Sequence, residues 1–125
     1  MKQNRQLGIC LDHSNAVLME IVNGMIVSTR ISSDAIQNEK VDNVDTHEIQ
    51  NKEYHQLQSA YYNRLIEIIR NYKEILLFGP TDAKNELYNS IRDIPHFKSI
   101  KIDIRNTDKM TDAQNHAFVI KFFLN

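Results

Sequence analysis

Three carboxylates are the residues of this chain whose chemistry could include metal-ion catalysis. Asp12 follows the first apolar run, Glu67 lies in a segment of helical periodicity, and Asp108 precedes the last such segment. Two-metal hydrolysis needs several acids that converge on ions about 4 Å apart. The residue that ends the later apolar run 75–78 is Gly79 rather than an acid, so the set is incomplete. In the alternative interpretation, Asp12 is a turn residue whose side chain caps its own backbone.

A contact with phosphate is a second candidate chemistry. The tripeptide Gly79-Pro80-Thr81 ends an apolar run, and Lys84 follows in the first turn of an expected helix. Free amides and the dipole at the start of a helix favour anions. A dinucleotide or Walker motif would contain more glycines, and no Gly-Lys-Thr triplet is present. The helix start alone still favours an anion, so we predict that Gly79, Thr81 and Lys84 contact a phosphate or an RNA backbone. The alternative is a plain strand-to-helix turn.

The last strand-like segment and its exit are locally basic. Their charged residues are Lys98, Lys101, Asp103, Arg105, Asp108 and Lys109. The whole chain has 15 basic and 16 acidic residues and a net charge of −1, so no global field draws it to nucleic acid or to an anionic membrane. Any RNA contact must therefore be local. Loops that leave the carboxyl ends of parallel strands share one edge, so we expect Lys84 and Lys109 on the same rim.

Composition limits the remaining chemistry. A chain of 125 residues with 25% charged and 42% apolar residues fits a single globular domain, 1–125. Cys10 is the one cysteine, which excludes an internal disulfide and suits a small buried residue in a reducing cytoplasm. The five histidines lack the close spacing of a zinc site. We predict a cytoplasmic protein with no cofactor, and with no membrane partner because 18 apolar residues nowhere run together.

Three apolar runs near the start predict a meander of three antiparallel strands. They cover residues 7–11, 16–22 and 25–31. Asn23-Gly24 between the second and third runs is a strong hairpin signal, because both central residues of a type I′ turn need positive φ.

The rest of the chain alternates between helical and strand patterns. Apolar residues at spacings of three and four predict a helix over about 54–72, after a segment 32–53 that we interpret as an exposed, acidic connection. Residues 75–78 read as a buried parallel strand, which we place at the centre of the sheet. A helix that includes Ile94 and ends before Pro95 follows, and then an alternating strand over 100–104 near the sheet edge. The apolar residues that mark this helix are Ala83, Leu87, Ile91 and Ile94.

A capping box predicts the start of the last helix. Thr111 is the expected N-cap, and Gln114 reaches back to it. The apolar residues expected to line this helix are Ala113, Ala117, Ile120 and Leu124. The complete order is then β-β-β-α-β-α-β-α, with helices on both faces of a mixed sheet, because parallel crossovers are right-handed. This is the ribonuclease H-like arrangement of the α/β class.

Three stretches resemble one family. They are Leu-Gly-Ile-Cys-Leu-Asp-His-Ser-Asn-Ala-Val-Leu-Met-Glu-Ile from residue 7, Leu-Leu-Phe-Gly-Pro-Thr-Asp-Ala-Lys-Asn-Glu-Leu from residue 76, and Thr-Asp-Lys-Met-Thr-Asp-Ala-Gln-Asn-His-Ala from residue 107, with Phe122-Phe123. They resemble short bacterial proteins labelled translational machinery proteins, which are similar to the middle domain of archaeal and eukaryotic peptide chain release factors. The resemblance implies this fold over residues 7–123 and a role in translation.

One departure from the family limits what the resemblance implies. In the release factors, the loop before the long helix carries a Gly-Gly-Gln tripeptide that enters the peptidyl transferase centre. Segment 32–53 has no glycine here, and Gln37 and Gln50 each follow an isoleucine. We therefore expect a non-catalytic translation accessory protein that associates with the ribosome or RNA. The alternatives are a metal-dependent nuclease that uses Asp12, Glu67 and Asp108, or a protein-binding module that uses the acidic segment.

Overall fold

Five strands and three α-helices follow each other along the described part of the chain in the predicted order. The computed structural model describes residues 5–33 and 47–124, with side chains from residue 58 onward in the second range. The elements are β1 (Gln6–Leu11), β2 (Asn15–Val22), β3 (Met25–Ser32), α1 (His47–Ile69), β4 (Glu74–Gly79), α2 (Ala83–Ile91), a 3-10 helix (Pro95–Ser99), β5 (Lys101–Asn106) and α3 (Asp112–Leu124).

The strands form one mixed sheet of order β3-β2-β1-β4-β5. The first three strands are antiparallel, and β4 runs parallel to both β1 and β5. The predicted α/β architecture is therefore confirmed, and it is consistent with the ribonuclease H-like arrangement. The prediction that β4 is the central strand was wrong by one position. β1 is in the middle, because the meander extends the sheet on one side of it and the two crossovers extend it on the other.

The predicted hairpin joins β2 to β3. Asn23 and Gly24 have φ values of 53° and 80°, and Val22 pairs directly with Met25 across the turn. Positive φ at both central residues suits an Asn-Gly pair, because glycine has no Cβ and asparagine tolerates the left-handed region. This turn fixes the register of β3, which is one edge of the sheet.

Alternate residues of each strand divide the core between two faces of the sheet. On the face covered by α1 and α2, Ile75 and Leu77 of β4 belong to a large buried cluster. The cluster includes Tyr61 and Leu65 of α1 and Leu87 of α2. We refer to this side as the α1/α2 face, and most of the buried apolar side chains of the described chain lie on it.

The opposite side, the α3 face, has a smaller core. Leu76 and Phe78 of β4 are buried there with Met19 of β2 and Val119 of α3. A Cβ built on Gly8 of β1 would lie 2.5 Å from Cγ2 of Val119. Because real Cβ atoms do not approach so closely, glycine at position 8 is what allows α3 to pack against the sheet.

Two helix boundaries differ from the predicted ones. α1 spans His47–Ile69 rather than about 54–72, so the part of the predicted connection from residue 47 to 53 is helical, while residues 34–46 lie outside the described residues. Strong helix formers such as Glu, Gln and Lys in this part compensate for its few apolar residues. α2 ends at Ile91, and Ile94 is extended with φ −80° and ψ 120°, because the residue before a proline avoids the helical region.

α3 begins as predicted but is rotated relative to the predicted packing. The amide of Gln114 donates to Oγ1 of Thr111 at 3.2 Å, and the amide of Thr111 donates to Oε1 of Gln114 at 2.9 Å, so the capping box is confirmed. The buried residues are Asn115 and Val119, whereas the predicted face residues Ala113, Ala117 and Leu124 are exposed. The large rings of Phe118 and Phe122 bury more apolar area than the alanines and set the orientation of the helix.

Candidate functional site

The turn from β4 to α2 passes close to the end of β1. Gly79 has a φ of 145°, and a Cβ built on it would lie 2.6 Å from the backbone oxygen of Leu11. Both the backbone conformation and the space therefore require glycine here. This close approach brings the carboxyl ends of the neighbouring parallel strands β1 and β4 to one edge of the sheet, where such folds bind ligands.

Lys84 faces the interior rather than solvent. Its side chain is only 2% exposed, and its ammonium group donates a hydrogen bond to the backbone oxygen of Thr81. Oγ1 of Thr81 in turn accepts from the amide of Ala83, the first residue of α2, at 3.3 Å. Lys84 therefore holds the strand-to-helix turn together, and its charge does not face a phosphate in solution.

Asp12 acts as a turn residue. Its Oδ1 accepts hydrogen bonds from the amides of Ser14 and Asn15, both at 2.7 Å. The hydroxyl of Tyr61 donates to the backbone oxygen of Asp12 at 2.9 Å. Burial raises the pKa of Tyr61, with a smaller contribution from Asp12, so the phenol stays protonated and remains a donor. This polar network matches the interpretation of Asp12 as a residue that caps its own backbone.

The three carboxylates of the metal hypothesis are not brought together. Among the side chains of residues 5–33 and 58–124, no group of three His, Cys, Asp or Glu could hold a metal ion. Asp12 lies at the carboxyl end of β1, whereas Glu67 is near the end of α1, which leads into the amino end of β4. Because β1 and β4 are parallel, these two acids belong to opposite edges of the sheet. Asp108 is exposed in the connection before α3.

A cleft of about 340 Å³ opens at the carboxyl edge, on the α3 face. We call it the carboxyl-edge cleft. Thr81 and Lys109, two of the predicted phosphate contacts, both line it together with Asp12. Arg30 of β3 and Asn115 of α3 also line it. Lys109 and Arg30 are exposed and provide positive charge at this cleft.

Arg30 and Asn115 are site residues that the sequence analysis did not identify. Asn115 is 6% exposed, and its Oδ1 has no hydrogen-bond partner in the described structure. A buried amide oxygen without a partner is uncommon in folded proteins. Its position four residues before Val119 is the signal that could have found it, since the two share one helical face. Arg30 gives no sequence signal, because it lies in an ordinary alternating strand.

The cleft can bind a ligand, but its groups are not those of a nucleophilic enzyme. Cys10 lies in the wall, and burial raises the pKa of its thiol, with smaller contributions from Asp12 and Asp112. A protonated thiol is a poor nucleophile. What remains is a small cavity with an unpaired amide oxygen, two cations, Arg30 and Lys109, and two acids, Asp12 and Asp112, which suits recognition of a polar group.

Comparisons with known proteins show similarity to solved structures alone. No protein-family model matches the chain, and no curated protein matches it either. The fold is similar to those of solved Pelota and translation termination proteins. The Pelota protein of Thermoplasma acidophilum matches 98% of the chain at 11% identity with a TM-score of 0.58. The Pelota of Archaeoglobus fulgidus matches 97% at 10% identity with a TM-score of 0.55.

The archaeal translation termination factor aRF1 is a third similar structure. It matches 94% of the chain at 11% identity with a TM-score of 0.56. The chain spans about a third of these proteins, between 32% and 34% of their length. The similarity therefore establishes the fold, which is that of one part of each protein.

Proposed function

We propose that this chain is a non-catalytic accessory protein of translation that acts in the cytoplasm by associating with the ribosome or with RNA. The observation that carries the proposal is the fold, which is similar over 94% to 98% of the chain to Pelota proteins and to an archaeal translation termination factor. The carboxyl-edge cleft supports it, because its described residues offer groups for binding and include no activated nucleophile.

The proposed contact with phosphate differs from the predicted one in one cation, because Lys84 is buried. Gly79 supplies the tight turn, Thr81 and Lys109 line the cleft, and Lys84 supports the turn from inside. The exposed cation that accompanies Lys109 at the cleft is Arg30. We therefore assign the electrostatic part of ribosome or RNA binding at this edge to Lys109 and Arg30.

Sedimentation with ribosomes over a series of salt concentrations tests the proposal. Wild type is expected to sediment with ribosomes at low salt and to be released as the salt concentration rises. The double variant Arg30→Gln with Lys109→Gln should bind more weakly. The magnitude of its slope of log K against log salt should decrease by about 1.4 to 1.8, since each phosphate contact contributes about 0.7 to 0.9.

The control is Arg64→Gln with Lys73→Gln, which removes the same charge from exposed positions on α1 and before β4. It should leave the salt slope near that of wild type. Wild type that does not sediment at any salt concentration would overturn the proposed association. Equal curves for both double variants would show that the carboxyl-edge cleft is not the contact.

A separate assay tests the absence of catalysis. Purified protein should neither release peptide from ribosomes nor cleave RNA in the presence of magnesium or manganese. The reason is that segment 32–53 has no Gly-Gly-Gln and Asp12 caps a turn. RNA cleavage that disappears in the Asp12→Asn variant would restore the nuclease hypothesis.

A further inference from the structure

A second surface lies on the other side of α3, between this helix and the edge strand β5. It is a groove of about 480 Å³, larger than the carboxyl-edge cleft and within the range of about 300–1,000 Å³ of small-ligand sites. Its lining residues are Arg105, Asn106, Phe118, Lys121 and Phe122. We call it the β5/α3 groove.

The composition of this groove follows from the position of β5 at the edge of the sheet. Ile102 and Ile104 pack on the α1/α2 face, so the alternate residue Arg105 lies on the α3 face. Arg105 is the register partner of Phe78 in β4, and Phe78 is covered by Phe118 of α3. The strand therefore presents a cation directly beside the aromatic residues of the helix.

The aromatic rings are supported from behind and are only partly buried. The ring centroid of Phe118 lies 4.9 Å from that of Phe78 at an angle of 47°. The ring of Phe122 is in edge-to-face contact with Phe123 at 5.1 Å. Cζ of Arg105 lies 5.3 Å from the centre of the Phe122 ring, a distance that permits a cation–π interaction. The result is an ordered stack whose outer side is accessible.

The charges around the groove favour an anionic ligand. Arg105 and Lys121 are exposed cations, and no acidic side chain is among the lining residues. Asp103 is the nearest acid described, with its Oδ1 3.9 Å from Nη1 of Arg105. At such a distance an exposed pair is weak, so a phosphate could replace this carboxylate as the partner of Arg105.

We propose that the β5/α3 groove binds an unpaired nucleobase and its phosphate in single-stranded RNA. Unstacked bases bind to proteins by stacking on aromatic rings and on guanidinium planes, beside cations that contact the backbone. Phe122 provides the stacking surface, and Arg105 and Lys121 contact the phosphate. Asn106 lines the same groove and offers an amide to the edge of the base.

A hollow on the opposite side of β5 extends this basic and aromatic surface. It measures about 260 Å³ and includes Tyr88, Arg92, Phe97 and Lys98. Lys101 is exposed on the strand between the two hollows. Exposed cations and a partly exposed aromatic side chain, that of Tyr88, therefore occur on this side of the sheet edge as well, which would allow a strand of several nucleotides to continue across it. This inference deepens the RNA part of the proposed function, on which it rests, but involves none of the residues that line the carboxyl-edge cleft.

Fluorescence anisotropy with a labelled, unstructured RNA of about ten nucleotides tests the groove. Phe122→Leu should weaken binding at least about fivefold, because it keeps an apolar side chain and removes the stacking surface. Phe123→Leu is the matched control, since Phe123 supports the stack and does not line the groove. It should weaken binding by less than about twofold if stacking on Phe122 is the cause.

Two charge variants are expected to change RNA binding in opposite directions. Arg105→Gln with Lys121→Gln should lower the slope of log K against log salt by about 1.4, whereas Arg64→Gln with Lys73→Gln should not. Asp103→Asn should strengthen RNA binding about twofold to fivefold, because it removes the carboxylate that competes with phosphate for Arg105. This gain is a readout that a loss of folding cannot imitate.

The outcomes separate this inference from the proposed function. RNA binding that depends on Phe122 and Arg105, with no sedimentation with ribosomes, would support the groove and overturn the ribosome proposal. Sedimentation with ribosomes without any binding of the RNA oligonucleotide would support the ribosome proposal and overturn the groove. Free adenosine monophosphate that competes as well as the RNA would identify a mononucleotide as the ligand instead of an RNA strand. Equal competition by an acidic peptide, or insensitivity to Phe122→Leu, would overturn the inference.

Discussion

The α1/α2 face and the α3 face of the same sheet differ in what their residues do. Among the described residues, the first is covered by α1 and α2 and holds by far the larger buried apolar cluster. The second is covered by α3, which leaves an open hollow on each side. The carboxyl-edge cleft lies on the side of β3, and the β5/α3 groove lies on the side of β5.

This difference separates stability from binding within a small protein. A single helix cannot cover five strands, so the residues beside it remain partly exposed, among them Cys10, Phe118 and Phe122. Those positions are then available to a ligand, while the opposite face supplies most of the hydrophobic free energy of folding. We expect substitutions on the two faces to have correspondingly different effects.

Neighbouring leucines of β4 allow the most direct test of the two faces. Leu77 and Leu76 are both fully buried and point to opposite sides of the sheet. Leu77→Ala should lower the free energy of unfolding by about 3–5 kcal/mol, and Leu76→Ala by about 2–3 kcal/mol, because the smaller core beside α3 can collapse around the cavity. Urea denaturation measures both, and a larger loss for Leu76→Ala would contradict the division of roles.

The packing of α3 depends on one missing methyl group. Gly8→Ala would place a Cβ 2.5 Å from Cγ2 of Val119, so we expect a loss of about 1–3 kcal/mol from overpacking. In the double variant Gly8→Ala with Val119→Ala, the clashing methyl groups are absent. Its loss should be smaller than the sum of the two single losses, since neighbouring substitutions couple. Additive losses in the urea series would show that α3 does not rest on Gly8.

Much of the fold was predictable from local chemistry. Asn23-Gly24 specifies a turn by its φ requirements, and Thr111 with Gln114 specifies a helix start by reciprocal hydrogen bonds. Such signals depend only on residues close in sequence. The central strand was misplaced because sheet order depends on where separate elements pair, and the burial of β4 did not distinguish the middle of the sheet from the next position.

The candidate site was less predictable for the same physical reason. Lys84 looked like a phosphate ligand because lysine is normally exposed, but its 2% exposure and its bond to Thr81 depend on tertiary packing. Asn115 was missed because alanine spacing suggested another face of α3. The basic character of the Arg105 segment was visible in the sequence, whereas its pairing with Phe122 required the register of β5 against β4.

Asn115 allows a test of whether the α3 face retains a residue at the expense of stability. Its Oδ1 is buried without a partner, and an unsatisfied buried amide costs about 1–3 kcal/mol. Asn115→Leu has a similar volume and no such group, so the variant should be as stable as wild type or more stable by about 1 kcal/mol. Ribosome sedimentation should weaken in the same variant if the amide contacts the ligand. Loss of stability in urea denaturation would show that the amide is satisfied in solution.

The smallest expected effect is a dependence on pH on the α1/α2 face. Tyr62 of α1 donates a hydrogen bond to Oε1 of Glu86 in α2 at 2.8 Å. Nε2 of His13, in the turn after β1, lies 3.1 Å from Oε2 of the same carboxylate. The bond from Tyr62, followed by that from His13, holds the pKa of Glu86 below its ordinary value of 4.5. This carboxylate therefore joins three elements at the edge that also holds the cleft.

A depressed pKa in the folded state means that the ionised carboxylate stabilises the fold. The contribution is complete above the ordinary pKa and is lost as the pH falls through the lower pKa of the folded state. Because the Glu86 side chain is 50% exposed, solvent screening limits the effect to a few tenths of a kcal/mol, at most about 1. The stability difference between wild type and Glu86→Gln should be constant from neutral pH to about pH 5 and should shrink as the pH falls below the ordinary pKa of 4.5. Tyr62→Phe removes the larger cause and should abolish most of this dependence, whereas a gap that stays constant as the pH falls well below 4.5 would show that the carboxylate adds nothing.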